Sequence, residues 1–152
     1  MNERGECIMK KYKIGYTTGV FDLFHIGHLN ILKKAKEYCD VLIVGVSTDE
    51  LVEEYKHRKP IIPFEERFEI IKSIRYVDKA VPQTTMDKLM AWEQYGFEVM
   101  FHGDDWKNSL MYMEYERKFK EKNVELVYFP YTKNTSSTIL TEALKHIYKE
   151  EN

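Results

Sequence analysis

The sequence has few cysteines and no long apolar run, and both absences narrow the class of protein. It contains two cysteines, Cys7 and Cys39, and neither belongs to a Cys-x-x-Cys pair, so we expect reduced thiols instead of a disulfide scaffold. No apolar stretch approaches the roughly 18 residues of a membrane-spanning helix. Residues 1–10 lack an apolar segment of signal-peptide length. We therefore expect a cytoplasmic protein that has no membrane partner.

A strong excess of one charge is also missing. Lysine and arginine number 23 and aspartate and glutamate 25, which gives a formal net charge of −2. This balance does not indicate a general polyanion-binding protein, so we expect no nucleic-acid partner, although the net charge is compatible with a local basic pocket. Internal repeats, low-complexity tracts and linkers rich in proline, glycine or serine are absent from the sequence as well.

The chain has the length and composition of one folded domain. Its 152 residues are 43% hydrophobic and 32% charged, and a single domain typically spans about 150 residues. A chain of this length buries enough surface for a core without disulfides or metals. We predict a flexible leader at residues 1–10 and a single domain over residues 11–152.

Predicted strands and helices alternate along this domain. The predicted strands are residues 12–18, 41–46, 79–81, 97–101 and 124–129, and the predicted helices are residues 27–38, 64–74, 86–94, 110–122 and 136–148. The alternation predicts an α/β fold, a Rossmann-like, doubly wound parallel five-stranded sheet with helices on both faces. Ligands of such folds bind beyond the carboxyl ends of the strands, so the residues that follow each strand are the candidates for function.

The loop after the first predicted strand carries the densest set of such residues. It reads TTGVFDLFHIGH over residues 17–28 and leads directly into a helix. His25 and His28 stand at the helix N-terminus, where free N–H groups and the helix dipole attract anions. Gly27 removes a side chain between them. We interpret this loop as a phosphate cradle. A zinc site is the weaker alternative, because Asp22 alone would have to complete the ligand set.

Several spaced motifs together resemble one known family. They are GVFD at 19–22, HIGH at 25–28, VGVSTDE at 44–50, EERFEIIKSIRYVD at 65–78, GDDW at 103–106 and YTKNTSST at 131–138. In this order they resemble the nucleotidylyltransferase superfamily, and within it the cytidylyltransferase branch, especially the glycerol-3-phosphate cytidylyltransferases. The resemblance covers roughly residues 13–142, nearly the whole chain.

The resemblance implies roles for particular residues. The implied catalytic residues are His25, His28 and Lys56, with Lys59 as the alternative lysine. The implied nucleotide-binding residues are Thr17, Thr18, Gly19, Phe21, Asp22, Gly27, Gly103, Asp104, Thr132, Ser136, Ser137 and Thr138. The implied contacts to the acceptor substrate are Arg67, Asp105 and Trp106. The resemblance further implies Mg²⁺ bound with the triphosphate, no metal held by the protein alone, and a homodimer.

The sequence departs from the family in its last motif. Tyr131 stands where the bacterial glycerol-phosphate enzymes carry an arginine, so a bidentate phosphate clamp is missing. Lys133 is the candidate to replace part of that charge. We expect the departure to affect nucleotide affinity and acceptor identity more than the class of reaction.

The resemblance implies transfer of CMP from CTP to a small phosphorylated alcohol. Glycerol phosphate is the expected acceptor, and the products would be CDP-glycerol, a precursor for cell-wall or capsule polymers, and pyrophosphate. One alternative is an adenylyltransferase of the same superfamily that acts on a phosphorylated cofactor precursor. The other is a non-catalytic nucleotide-binding module.

Overall fold

A computed structural model describes residues 11–104, 107–130 and 136–150. The strands are β1 (Tyr12–Gly19), β2 (Cys39–Ser47), β3 (Lys79–Gln83), β4 (Val99–Gly103) and β5 (Glu125–Phe129). The helices are α1 (Ile26–Tyr38), α2 (Asp49–Lys56), α3 (Phe64–Lys72), α4 (Lys88–Tyr95), α5 (Leu110–Glu121) and α6 (Ser137–Glu150). The predicted leader at residues 1–10 lies outside the described residues.

The five strands form one parallel sheet with the order β3-β2-β1-β4-β5. After β1 the chain builds outward on one side through β2 and β3, and it then crosses to the other side for β4 and β5. The strand order therefore reverses between β1 and β4. This is the position at which open α/β sheets bind ligands. The predicted Rossmann-like fold is confirmed.

Two apolar clusters lie on opposite faces of the sheet. One joins Leu32 of α1 and Ile71 of α3 to Val44 of β2, and all three side chains are fully buried. The other joins Phe119 of α5 to Met100 of β4, also fully buried. Burying each such side chain stabilises the fold by about 1.5–3 kcal/mol. The two clusters thus fix the helices on both faces and leave the carboxyl edge of the sheet open.

Helix α2 is absent from the sequence prediction, which assigned Lys56 to a loop. The Thr48 side chain accepts a hydrogen bond from Leu51 N at 3.2 Å and so caps the helix. Asp49 and Glu50 in the first turn suit the positive end of the helix dipole. Lys56 is the last residue of α2, and the assignment to a loop is therefore wrong.

The sequence also predicts that Gly96, just after the predicted helix at residues 86–94, ends that helix, and the structure confirms this. Gly96 follows α4 with φ of 64°, in the left-handed region, and its N–H donates to Trp92 O. Glycine adopts this conformation without the steric cost of a Cβ atom. The chain can then turn directly into β4. Across the described parts of the chain, no helix has the length and hydropathy that crossing a bilayer requires.

Candidate active site

A cavity of about 1050 Å³ opens at the carboxyl edge of the sheet, where the strand order reverses. Most of the predicted functional residues line it. They are Thr17, Thr18, Gly19, Phe21, Asp22, His25, Gly27, His28, Lys56, Lys59, Gly103, Ser136, Ser137 and Thr138. The fold therefore brings segments that are more than 100 residues apart in the chain to one site.

Two of the remaining predicted residues, Asp104 and Arg67, lie in the described part of the chain, and neither lines the cavity. Asp104 is exposed in the turn after β4 and does not line the cavity, so the geometry gives no support to its predicted contact with the nucleotide. Asp105, Trp106 and Thr132 lie outside the described residues, as do Tyr131 and Lys133.

His25 and His28 form a capping box at the start of α1. His25 is the N-cap residue, and its Nδ1 accepts from Gly27 N at 3.0 Å. The Nδ1 of His28 accepts from the backbone N–H of His25 at 3.2 Å. The ring centroids lie 3.9 Å apart. A neutral imidazole that accepts at Nδ1 carries its proton on Nε2, so each ring keeps an Nε2–H donor for a ligand.

Both rings are held in the neutral form. Burial, together with the smaller effect of the neighbouring His25, lowers the pKa of His28 to about 3. Burial also lowers the pKa of His25 below its usual value. The pair therefore offers two neutral N–H donors at pH 7, at a helix terminus that itself favours an anion.

Asp22 ties the first loop to the segment that follows α2. Its Oδ2 accepts from Ile61 N at 2.8 Å and its Oδ1 from Ile62 N at 2.9 Å. The Ser137 hydroxyl donates to the Asp22 carbonyl oxygen at 2.5 Å. One residue thus joins three segments of the cavity wall, and both of its carboxylate oxygens are already used as acceptors.

The start of α6 supplies a second helix N-terminus. Ser136 caps it, since its Oγ accepts from Ile139 N at 3.1 Å. Ser137 and Thr138 follow in the first turn and line the cavity. Their backbone N–H groups have no intrahelical acceptor because they belong to the first turn of the helix. These groups can bind phosphate oxygens, whereas the Ser137 hydroxyl is taken by Asp22.

The two adjacent threonines of β1 are used differently. We expect Thr17 to offer a backbone or a hydroxyl donor to the phosphates, and its hydroxyl already donates to Phe101 O on β4 at 2.9 Å, which leaves the backbone. The Thr18 hydroxyl accepts from Lys88 Nζ at 2.8 Å. Both residues still line the cavity.

The outer part of the cavity is basic. Lys56, Arg58, Lys59, Lys145 and Lys149 line it, against the single carboxylate of Asp22 among the described lining residues. Burial lowers the pKa of Lys56, and the charge of Arg58 acts in the same direction while Asp22 opposes it. A polyanion that enters the cavity meets an excess of positive charge.

Arg67 does not reach this cavity. Its side chain is fully buried, and its guanidinium donates to the carbonyl oxygens of Val20, Ser47 and Ile62 at 2.7, 2.7 and 2.8 Å. It also pairs with Asp49 at 2.7 Å. Four of its five N–H groups are therefore bound by the protein itself. The predicted contact with the acceptor's phosphate is replaced by a structural role, in which Arg67 joins the loops around the cavity.

The sequence analysis assigned no role to two residues next to the cavity, the buried Lys88 and the half-buried His102. Lys88 at the start of α4 donates to Thr18, and His102 of β4 lines the cavity with its Nε2 2.9 Å from the Tyr112 hydroxyl. Burial, reinforced by Lys88, lowers the pKa of His102 well below its usual value. A lysine at a helix start looks like a surface residue in sequence, and no local pattern indicates that it is buried.

The described part of the chain has few side chains that could bind a metal ion without help from a substrate. Among the residues that the structure describes, no group of three or more His, Cys, Asp or Glu side chains could hold one. Within the described cavity lining, the carboxylate of Asp22 already accepts hydrogen bonds from three backbone N–H groups, those of Leu23, Ile61 and Ile62.

The fold and the helix-terminal histidines define a nucleotide-binding α/β enzyme, and comparison with known proteins identifies the class. Residues 16–144 match the cytidylyltransferase-like family model. The chain belongs to this family of nucleotidyltransferases.

Particular relatives narrow the class further. The chain is 34% identical over 135 residues to the glycerol-3-phosphate cytidylyltransferase of Bacillus subtilis, covering 84% of this chain and 94% of that protein. It is 37% identical over 126 residues to the FAD synthase of Thermococcus sibiricus, covering 80% of this chain and 84% of the relative. Among solved structures, a lipopolysaccharide core biosynthesis protein from Thermoplasma volcanium has the same fold, with a TM-score of 0.66 and 24% identity, covering 82% of this chain and 99% of that one.

Proposed function

We propose that this protein transfers CMP from CTP to glycerol phosphate and releases CDP-glycerol and pyrophosphate. The reciprocal cap of His25 and His28 carries the proposal for the reaction class, because it leaves two Nε2–H donors at a helix N-terminus. The similarity to glycerol-3-phosphate cytidylyltransferases over most of both chains supports the choice of substrates.

The reaction needs positioning and charge stabilisation more than covalent chemistry. A phosphate oxygen of the acceptor attacks the α-phosphorus of CTP in line. The bond from that phosphorus to the bridging oxygen breaks, and pyrophosphate leaves. The acceptor phosphate is ionised near neutral pH, so no general base is required. The Nε2–H groups of His25 and His28 stabilise the charge that develops on the oxygens around the α-phosphorus.

The basic side chains and the α6 N-terminus suit the rest of the phosphate chain. Lys56, Ser137 and Thr138 all line the cavity. In the proposed reaction Lys56 neutralises charge between the two anionic substrates, and the backbone N–H groups of Ser137 and Thr138 donate to the terminal phosphates. Lys59 also lines the cavity, so the geometry supports either lysine in this role.

The donor set fits Mg²⁺ held mainly by the nucleotide. Mg²⁺ prefers oxygen ligands and usually keeps several waters together with substrate phosphates. Because both oxygens of Asp22 already accept backbone hydrogen bonds, triphosphate oxygens and water would supply most of the ligands. When bound, the ion would share the triphosphate charge and make pyrophosphate a better leaving group.

A second candidate is an adenylyltransferase that acts on a phosphorylated cofactor precursor. The identity to an archaeal FAD synthase, 37% over 126 residues, favours it. FAD contains an AMP unit joined to a flavin phosphate, so the same phosphate chemistry would apply with ATP and a larger acceptor.

We also propose that the protein is a homodimer. Its product would serve as a precursor for polymer synthesis, and the reaction would take place in the cytoplasm. Ile26 on α1 and Ile61 after α2 are 52% and 46% exposed, and such apolar side chains suit a protein interface. Light scattering after size exclusion measures the oligomeric state, and a mass near the monomer's 18.2 kDa would contradict a dimer.

The function is tested by pyrophosphate release with Mg²⁺. CTP and ATP are each paired with both glycerol phosphates, ribitol phosphate, phosphoethanolamine, phosphocholine and FMN. Turnover with CTP and a glycerol phosphate is the expected result. Turnover only with ATP and FMN would move the protein to the second candidate. Release with no pair, together with CTP binding in calorimetry, would favour the non-catalytic module.

A further inference from the structure

Lys88 lies behind the wall of the cavity and is not part of the chemistry described so far. It is the first residue of α4, directly after the N-cap Asp87, and it is only 2% exposed. Its ammonium group donates to the Thr18 hydroxyl at 2.8 Å. Thr18 itself lines the cavity. A buried lysine is thus one hydrogen bond away from the space that a ligand occupies.

This placement is unfavourable for folding. A cation at the N-terminus of a helix opposes the helix dipole, and burial of an ammonium group costs free energy unless it is paired. In the described parts of the chain, no carboxylate oxygen forms an ion pair with Lys88. Burial lowers the pKa of Lys88 to about 8, so most molecules are still charged at pH 7. Folding alone gives no reason for this residue.

The hydrogen bond from Lys88 leaves the hydroxyl hydrogen of Thr18 available for another acceptor. A hydroxyl has one hydrogen and two acceptor lone pairs. Lys88 occupies a lone pair of Thr18, so the hydrogen remains for another partner. Thr17 provides a contrast, because its hydroxyl hydrogen is used by Phe101 O within the sheet. Of the two threonines, Thr18 is the one whose hydroxyl can donate to a ligand.

The neighbouring strand leaves room for Thr18 in this position. Gly45 of β2 stands opposite Thr18. A Cβ atom at Gly45 would lie 3.0 Å from Thr18 Cγ2 and 2.8 Å from the Tyr16 hydroxyl. A side chain at this position would therefore crowd both Tyr16 and Thr18. The absence of a Cβ atom at Gly45 leaves room for the Thr18 side chain beside its contact with Lys88.

We propose that Lys88 is a positioning residue for nucleotidyl transfer: it holds the Thr18 hydroxyl so that Thr18 donates its hydrogen to a phosphate oxygen of the bound nucleotide. The inference rests on the proposed function, since it requires a phosphate chain in the cavity. Lys88 acts through Thr18 and does not itself line the cavity.

The test is a double-mutant cycle with Lys88→Met and Thr18→Val, which remove the two partners with little change of shape. Each single variant is expected to lower kcat/KM for CTP by about 10- to 100-fold, the effect of losing one hydrogen bond to a charged group. The kcat/KM of the double variant is expected to lie within about threefold of that of the less active single variant, because both substitutions remove the same interaction. Multiplicative losses, or a Lys88→Met variant as active as wild type, would overturn the proposal.

A conservative variant separates positioning from a general structural effect. Thr18→Ser keeps the hydroxyl and is expected to stay within about threefold of wild type, while Lys88→Met in that background again loses activity. Lys34→Met removes an exposed lysine from α1 and is the matched control. If Lys88→Met does not fold, Lys88→Gln replaces it in the cycle, because it removes the charged donor and keeps a polar side chain.

Failure of the proposed function can be told apart from failure of this inference. The wild-type protein is assayed first. Absence of pyrophosphate release with every substrate pair counts against the proposed function only. The same cycle is then measured as the Kd for inorganic pyrophosphate by calorimetry. Coupled losses in that Kd would support the positioning role, and independent losses or none would refute it.

Discussion

Replacing Arg67 tests whether this residue binds a substrate or holds the loops together. In the variant Arg67→Met, the carbonyl oxygens of Val20, Ser47 and Ile62 and the carboxylate of Asp49 lose their donor. The Arg67 side chain has no exposed surface, so bulk water does not replace the lost bonds without a local opening of the structure.

The size of the effect follows from these four bonds. A net contribution of about 1 kcal/mol for each hydrogen bond gives about 4 kcal/mol. Breaking a buried ion pair by removal of one partner costs about 3–5 kcal/mol, and the two figures agree. Because domains are stable by about 5–15 kcal/mol, we expect Arg67→Met to fold with at least about a quarter of its free energy of unfolding lost. Arg67→Lys keeps the charge without the planar fork and is expected to be nearly as damaging.

Urea unfolding followed by circular dichroism measures this loss. Arg117→Met is the matched control, because that side chain is 69% exposed on α5 and should change the free energy of unfolding by less than about 0.5 kcal/mol. If Arg67→Met were within about 1 kcal/mol of wild type and only raised the KM for the acceptor, the structural role would be wrong and the predicted substrate contact would be right.

Three further predictions concern the cavity. His28→Ala is expected to lower kcat by about 10²-fold through loss of one donor, with the exposed His146→Ala as control; a loss under threefold would contradict the catalytic role. Asp22→Asn places an amide hydrogen against Ile61 N or Ile62 N and should raise the KM for CTP about tenfold, and an unchanged KM would exclude the loop clamp. Because the pKa of His28 is about 3, the unfolded chain binds a proton near pH 6.5 that the folded chain does not. For His28 this lowers the free energy of unfolding as pH drops below 6.5, by up to about 1.4 kcal/mol per pH unit. Burial also lowers the pKa of His102, which adds a slope of the same sign. Urea unfolding at pH 7.5 and 5 should therefore show a smaller slope in His28→Ala than in wild type, and an equal slope would contradict the prediction.

The sheet could be predicted because its signal is local. The apolar run at 41–46 and the periodic helix at 27–38 each show their structure in consecutive residues. The missed helix α2 also has a local signal, namely Thr48 followed by Asp49 and Glu50, which is a typical helix start.

The histidine pair could be predicted for the same reason, and the buried cations could not. Arg67 and Lys88 look like surface residues of amphipathic helices in sequence. Their burial depends on partners that lie up to 70 residues away along the chain, as in the contact of Lys88 with Thr18. These distant partners can be identified only once the order of the strands in the sheet is known.

The reciprocal cap of His25 and His28 makes the phosphate chemistry structurally independent of the choice of acceptor. Its hydrogen bonds run between residues 25, 27 and 28 only, so a four-residue segment assembles the reactive donors by itself. The surrounding wall is built from distant loops, such as the residue 61–62 segment held by Asp22. Remodelling those loops toward a different alcohol would therefore leave the phosphate chemistry intact, and one catalytic unit could serve enzymes with unrelated acceptors.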